Sequence, residues 1–208
     1  MKQNTATPPF VGDLSAADAS VIADHARRSR SALEFGAGGS TQIIAQVMPP
    51  GARLVTVETE ARWIDLTRGR LEKLGVAKRV DFVKHDGWQR ALEAPRSRSF
   101  DFIFVDGAWP LRRTFALESW RLLKVGGYML LHDTRRAKDA AIVAALLAVR
   151  FAEIQRIDVN MAAGVASNTT AILKKRTEPY INWQKAEGKP RWRYGQGIVP
   201  ESFWINGR

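Results

Sequence analysis

Apolar positions along this 208-residue chain change period at regular intervals, so that short strand-like runs alternate with longer stretches of helical spacing. "LSAADASVIADHARRSR" predicts a helix opened by Ser15 as N-cap, with Asp18 three residues on. "SALEF" follows as a short strand. "STQIIAQVM" puts Ile43, Ile44, Val47 and Met48 on one helical face and stops at "PPG". "ARLVTVE" predicts a strand, and "ARWIDLTRGRLEKLG" a helix ended by Gly75. "RVDFVKHD" alternates as a strand, and "GWQRALEA" reads as a short helix. "SFDFIFVDG" is the strongest strand, its apolar run suited to a central parallel strand buried on both faces. "LRRTFALESWRLLK" is helical, "VGG" predicts a turn, "YMLLHD" a strand and "AKDAAIVAALLAVR" a helix. "AEIQRIDV" and "NTTAILKK" close the regular part as successive strands, with "NMAAGVAS" between them.

Five strands separated by helices and then two in succession predict a doubly wound, mostly parallel seven-stranded α/β sheet with an antiparallel hairpin at one edge. Such sheets bind ligands beyond the carboxyl ends of their strands, where strand order reverses. Glu34 to Ser40, Glu58, Asp86, Asp106 and Asp133 all fall at those ends and are expected to share one crevice. Residues 1–175 form the expected domain. Beyond it, residues 176–208 lose clear periodicity, carry three of the seven tryptophans, and read as an aromatic, basic arm packing on its own domain or on another copy.

Composition narrows the setting. There is no cysteine, so disulfides and thiolate metal sites are excluded and the cytoplasm is the expected compartment. The first residues lack the apolar core of a secretory signal, and no apolar run approaches the ~20 residues needed to span a bilayer. The net charge is +11, of which residues 174–208 supply +5. That sign attracts nucleic acid and acidic small molecules alike, so it does not name a partner.

The chemistry concentrates in "ALEFGAGGSTQ". A dinucleotide fingerprint would need a third glycine at position 41, where Thr41 stands. The frame is instead Glu34-Phe35-Gly36-Ala37-Gly38-Gly39-Ser40, and a carboxylate ahead of the glycines suits an ammonium better than a pyrophosphate. Glu58, 22 residues after Gly36, ends the second strand and is placed to accept ribose hydroxyls. In "HDGWQ", Asp86 and Trp88, joined by Gly87, could bond an adenine amino group and cover its ring, while Asp86 could equally cap a helix. Asp106 ends the most apolar strand, and Asp133 stands at the same level on the fifth. Together they could serve as a general base or hold a divalent cation, and Asp133 could also be an N-cap. The role of His132 stays open.

"LEFGAGGST", "VTVETE", "VKHDGW", "FDFIFVDGAW" and "LLKVGGYMLLHDT" resemble, in order, the motifs of the Rossmann-like S-adenosylmethionine-dependent methyltransferases. The last two resemble the small-molecule O-methyltransferases within that group. The resemblance spans about residues 30 to 175 and implies strand order 3-2-1-4-5-7-6. It implies S-adenosylmethionine as cofactor, with Glu34 meeting its methionine ammonium, often through water, and residues 35 to 40 (Phe35, Gly36, Ala37, Gly38 and Ser40 foremost) beneath it. Glu58 would take the ribose, Asp86, Gly87 and Trp88 the adenine, and Asp106 would face a small-molecule acceptor. Two departures stand out. Ala108 and Trp109 replace an acid and a histidine common after the Asp-Gly pair, and Thr134 replaces the amide or acid that metal-dependent members present. Both weaken a metal site, and Trp109 supplies a flat apolar wall to the acceptor. A protein that binds the cofactor without catalysis, and a nucleic-acid methyltransferase using the basic "KPRWRYG", are the competing readings. The second is disfavoured by the lack of a recognition domain, and a nicotinamide dehydrogenase by Glu34 and Thr41.

Overall fold

The computed structural model describes residues 14–87, 100–150, 153–161 and 169–176, and the backbone of 184–186 and 189–191. Helices α1 (Ala16–Ala26), α2 (Gly39–Val47) and α3 (Ala61–Lys73) alternate with strands β1 (Ser31–Phe35), β2 (Arg53–Glu58) and β3 (Val80–Lys84). They are followed by β4 (Phe100–Val105), α4 (Arg112–Ser119), β5 (Leu123–Leu131), α5 (Ala137–Arg150), β6 (Ile154–Met161) and β7 (Thr169–Lys175). The sheet runs β3-β2-β1-β4-β5-β7-β6. Its first five strands are mutually parallel, and β7 is antiparallel to both β5 and β6. This is a Rossmann-like α/β fold with a mixed sheet. A separate two-stranded sheet pairs β8 (Gln184–Ala186) with β9 (Lys189–Arg191). The short helix expected in "GWQRALEA" lies, apart from Gly87, outside the described residues, as does Trp88.

The period-2 pattern of β1 and β4 builds two cores. Ala32, Phe102 and Phe104 pack with Ile22 of α1, Ile44 of α2 and Leu71 of α3 on one face. Leu33, Phe35, Ile103 and Val105 pack with Phe115 and Trp120 and with Ile142 and Leu146 of α5 on the other. Burial of each large apolar side chain contributes about 1.5–3 kcal/mol, which explains why β4 is apolar at nearly every position.

Two expectations are corrected. "VGG" is not a turn: β5 runs through it. Between Phe100 and Phe102 of β4, the paired register on β5 advances from Leu123 to Tyr128, so the extra residues bulge. Gly126 takes φ +82°, and a Cβ on Gly127 would lie 2.8 Å from the Asp101 carbonyl oxygen, so both glycines serve the bulge. The helix expected through Lys124 ends at Ser119 and tightens to a 3-10 turn over Trp120–Leu122 before β5 begins.

Strand order reverses between β1 and β4, so the turns leaving these two strands diverge and open a crevice.

Candidate active site

A cavity of about 260 Å³ opens at that reversal, lined among others by Leu14, Gly36 to Ser40, Glu58, Trp63, Asp106 and Ala108. Gly36 makes the closest approach. Its N–H donates to the Val57 carbonyl at 2.8 Å, while Asp106 N–H donates to the Phe35 carbonyl at 2.9 Å, extending the sheet into both turns. Gly36 has φ +101°, and a Cβ there would stand 3.0 Å from the Asp106 carbonyl oxygen. Glycine is required at this position on both counts.

Glu34 lies beneath this floor and does not line the cavity. It is fully buried and accepts from Ser40 Oγ at 2.5 Å, Thr41 Oγ1 at 2.7 Å and Thr56 Oγ1 at 2.8 Å. Burial raises its pKa to about 7 against the lowering effect of those hydroxyls, and the nearby Asp106 charge adds to the rise. Glu34 has no face on the cavity, which corrects a direct meeting with a ligand ammonium but not one through water: its carboxylate ties β1, β2 and the start of α2 together. Thr41 does double service, since its oxygen also accepts the Gly38 N–H at 2.9 Å. Phe35 is corrected likewise. It is fully buried and stacks on Phe115 with ring centroids 4.5 Å apart.

Glu58 does line the cavity. Its Oε1 accepts from Thr59 N–H, Thr59 Oγ1 and Glu60 N–H, and its Oε2 accepts from Ala37 N–H at 2.8 Å. Oε2 accepts from Ala37 N–H alone among the described residues and is the oxygen left to face a ribose. Asp86 sits exposed in the 3-10 turn His85–Gly87 after β3 and is not among the residues lining the cavity.

Asp106 lines the cavity with its side chain 28% exposed. Its Oδ1 accepts from Arg112 Nη2 at 2.9 Å and lies 3.2 Å from His132 Nδ1. Asp133 is placed behind it, outside the cavity wall, with a φ of +60° that non-glycine residues rarely adopt. Asp133 Oδ2 pairs with Arg136 at 2.9 Å and lies 3.6 Å from Arg112 Nη1. It is not an N-cap, because α5 begins four residues later. Of the two carboxylates expected to do chemistry, only Asp106 reaches the cavity.

The sequence reading missed the groups that hold Asp106. His132 is buried between carboxylates, with Nε2 3.6 Å from Asp18 Oδ2 on its far side. Burial alone would lower its pKa, but Asp106 and Asp18 outweigh this and push it up to about 10. Asp18, fully buried on α1, accepts from Ser15 Oγ and from Thr170 Oγ1 of β7. Its pKa is about 2, because His132, Ser15 and Thr170 overcome the effect of burial. Arg112, at the first position of α4, was read only as part of a helical segment. A cation at the positive end of a helix dipole is unfavourable without compensation, and that was the available signal.

Asp106, His132 and Asp133 each bring one donor atom within 4.8 Å of the others, the spacing of a cation site. A divalent cation does not fit this donor set, because Arg112 already holds Asp106 and both Arg112 and Arg136 face Asp133.

The fold and this cavity define a Rossmann-like α/β domain with a ligand crevice at the strand-order reversal. Residues 33–134, from β1 through the turn after β5, match the family model described as a methyltransferase domain. The chain is similar to tricin synthase 1 of Oryza sativa subsp. japonica, 30% identical over 112 residues. That match covers 50% of this chain but only 44% of the relative's length. Among solved structures it shares its fold with the O-methyltransferase TomG from Streptomyces achromogenes, involved in tomaymycin synthesis and solved with S-adenosylmethionine. The TM-score is 0.65 at 22% identity, covering 78% of this chain and 82% of that one. An O-methyltransferase from Bacillus cereus, solved with S-adenosylhomocysteine, gives a TM-score of 0.66 at 18% identity over 78% and 83% of the two chains.

Proposed function

We propose that this chain is an S-adenosylmethionine-dependent methyltransferase acting on a hydroxyl of a small-molecule acceptor. One observation carries the reading: the glycine floor, Glu58 and Asp106 converge on a single cavity at the strand-order reversal. The cradle fits such a cofactor, since a Cβ on Gly36 would intrude on the backbone beneath it and Glu58 lines the cavity with an Oε2 that accepts from one N–H alone. When bound, the cofactor supplies an electrophilic methyl group on sulfur. Glu58 Oε2 would hold the ribose, and the first N–H groups of α2, beside the cavity, would take the amino-acid carboxylate.

Asp106 would receive the acceptor proton. Arg112 and His132 both engage Oδ1, which leaves Oδ2 without a partner among the described residues. Alignment supplies most of such a catalysis, so a modest base suffices. Trp109, 53% exposed with Lys138 4.9 Å from its ring centroid, stands next to Ala108 of the cavity wall and offers the acceptor a flat face. The likeness to the O-methyltransferases of Streptomyces achromogenes and Bacillus cereus and the sheet order β3-β2-β1-β4-β5-β7-β6 support the same reading. No described helix is long and apolar enough to cross a membrane. Residues 1–175 would be the transferase domain. The arm 176–208 would serve contacts between copies, and the absence of cysteine suits the cytoplasm.

Titration calorimetry with S-adenosylhomocysteine and with NAD tests the reading. S-adenosylhomocysteine should bind at micromolar concentration, and Glu58→Gln should weaken it about tenfold. Binding of NAD in its place would overturn the assignment.

A further inference from the structure

The guanidinium of Arg112 is the most fully engaged polar group described near the cavity. Its Nε donates to the Gly107 carbonyl at 3.0 Å, and Nη2 donates to the Asp106 carbonyl at 3.1 Å and to Asp106 Oδ1 at 2.9 Å. Nη1 donates to Asp139 Oδ1 at 3.1 Å and to the His132 carbonyl at 3.5 Å. An arginine has five N–H donors, and all five are used. The acceptors come from the turn after β4, the end of β5, and α5. Its side chain is only 10% exposed, and Asp106, Asp133 and Asp139 all face it. Asp139 is itself buried, with Oδ2 lacking a hydrogen-bond partner, so Arg112 is the positive charge answering that carboxylate.

We infer that Arg112 is the resident cation of the site, holding Asp106 at the cavity in the role a divalent metal would fill, so that the chain refuses metal and works without it. A metal brought to Asp106, His132 and Asp133 would have to share Asp106 Oδ1 with this guanidinium, and share Asp133 with it and with Arg136. Displacing Arg112 would strand Asp139 buried and unpaired, which is costly. The rigid fork of arginine fixes the direction of Asp106 through two bonds to the same residue, one to its backbone and one to its side chain. Arg112 is thus a positioning residue. Its catalytic consequence rests on the methyltransferase reading, whereas its exclusion of metal does not.

The test titrates Mn²⁺ into the full chain, with free and bound ion followed by electron paramagnetic resonance and S-adenosylhomocysteine binding measured on the same sample. The wild type should show no specific Mn²⁺ site below about 1 mM. Arg112→Lys, which keeps the charge, should refuse Mn²⁺ as well. Arg112→Gln, which removes the charge, should take up one Mn²⁺ per chain, and a second change, Asp106→Asn, should abolish that uptake. Both single variants should lower the melting temperature, so a merely structural role would not separate them. Sub-millimolar uptake by the wild type, lost in Asp106→Asn, would overturn the inference, as would a folded Arg112→Gln that still refuses the ion. If Arg112→Gln does not fold by circular dichroism, the wild-type and Arg112→Lys titrations decide: refusal by both supports it and uptake by either overturns it. Failure to bind S-adenosylhomocysteine would count against the cofactor reading alone.

Discussion

Glu34 on β1 and Asp106 just beyond β4 are carboxylates on neighbouring parallel strands, and the protein satisfies them in opposite ways. Glu34 is sealed from solvent and surrounded by three hydroxyls, all neutral donors. Asp106 is partly exposed and answered by an arginine and a histidine. Neutral donors leave the cost of burial largely standing, so the Glu34 pKa rises to about 7. The comparison separates two uses of a strand-end acid. Glu34 shapes the turn from below, and Asp106 presents an oxygen to whatever enters the cavity.

The largest expected effect comes from removing the cations. Arg112→Met leaves buried carboxylates without their partner and should cost about 3–5 kcal/mol in urea unfolding. A loss below about 1 kcal/mol would mean that Arg136 and His132 suffice for the cluster. Next, Glu34→Ala strips three hydroxyls of their acceptor and should cost about 2–3 kcal/mol, since freed hydroxyls can rotate toward other acceptors in part. A further effect concerns pH. Glu34 holds its proton more tightly folded, at about 7, than at its ordinary value of 4.5. Between those values the folded state binds more protons, so this residue's contribution makes stability fall as pH rises from 4.5 through 7 and then level off. In Glu34→Gln that slope should disappear. An unchanged slope in melting temperature against pH would place the titration elsewhere.

The periodicity of β1, β2 and β4 was legible because a buried parallel strand needs apolar side chains at successive positions, and their ends then follow from the topology. Gly36, Glu58 and Asp106 were legible for that reason. Glu34 and Phe35 were assigned to the ligand because strand periodicity locates a residue along the chain but not its depth below a turn. Asp18, Arg112 and Asp139 were invisible as a group, since they come from three separate helices and are linked only through His132 and Asp106 at the strand ends. The β5 bulge was missed because paired glycines ordinarily signal a turn, and only the Asp101 carbonyl on the adjacent strand shows why glycine is needed within it.

Thr41 occupies the position where a dinucleotide motif would carry its third glycine. Its one hydroxyl hydrogen is committed to Glu34 while its oxygen takes the Gly38 N–H, so it latches the turn in one direction only. Replacing it with glycine would complete the written motif G-x-G-x-x-G and at the same time release the latch. Thr41→Gly should therefore loosen the loop without conferring NAD binding, a case in which matching a pattern more closely takes the molecule further from what the pattern stands for.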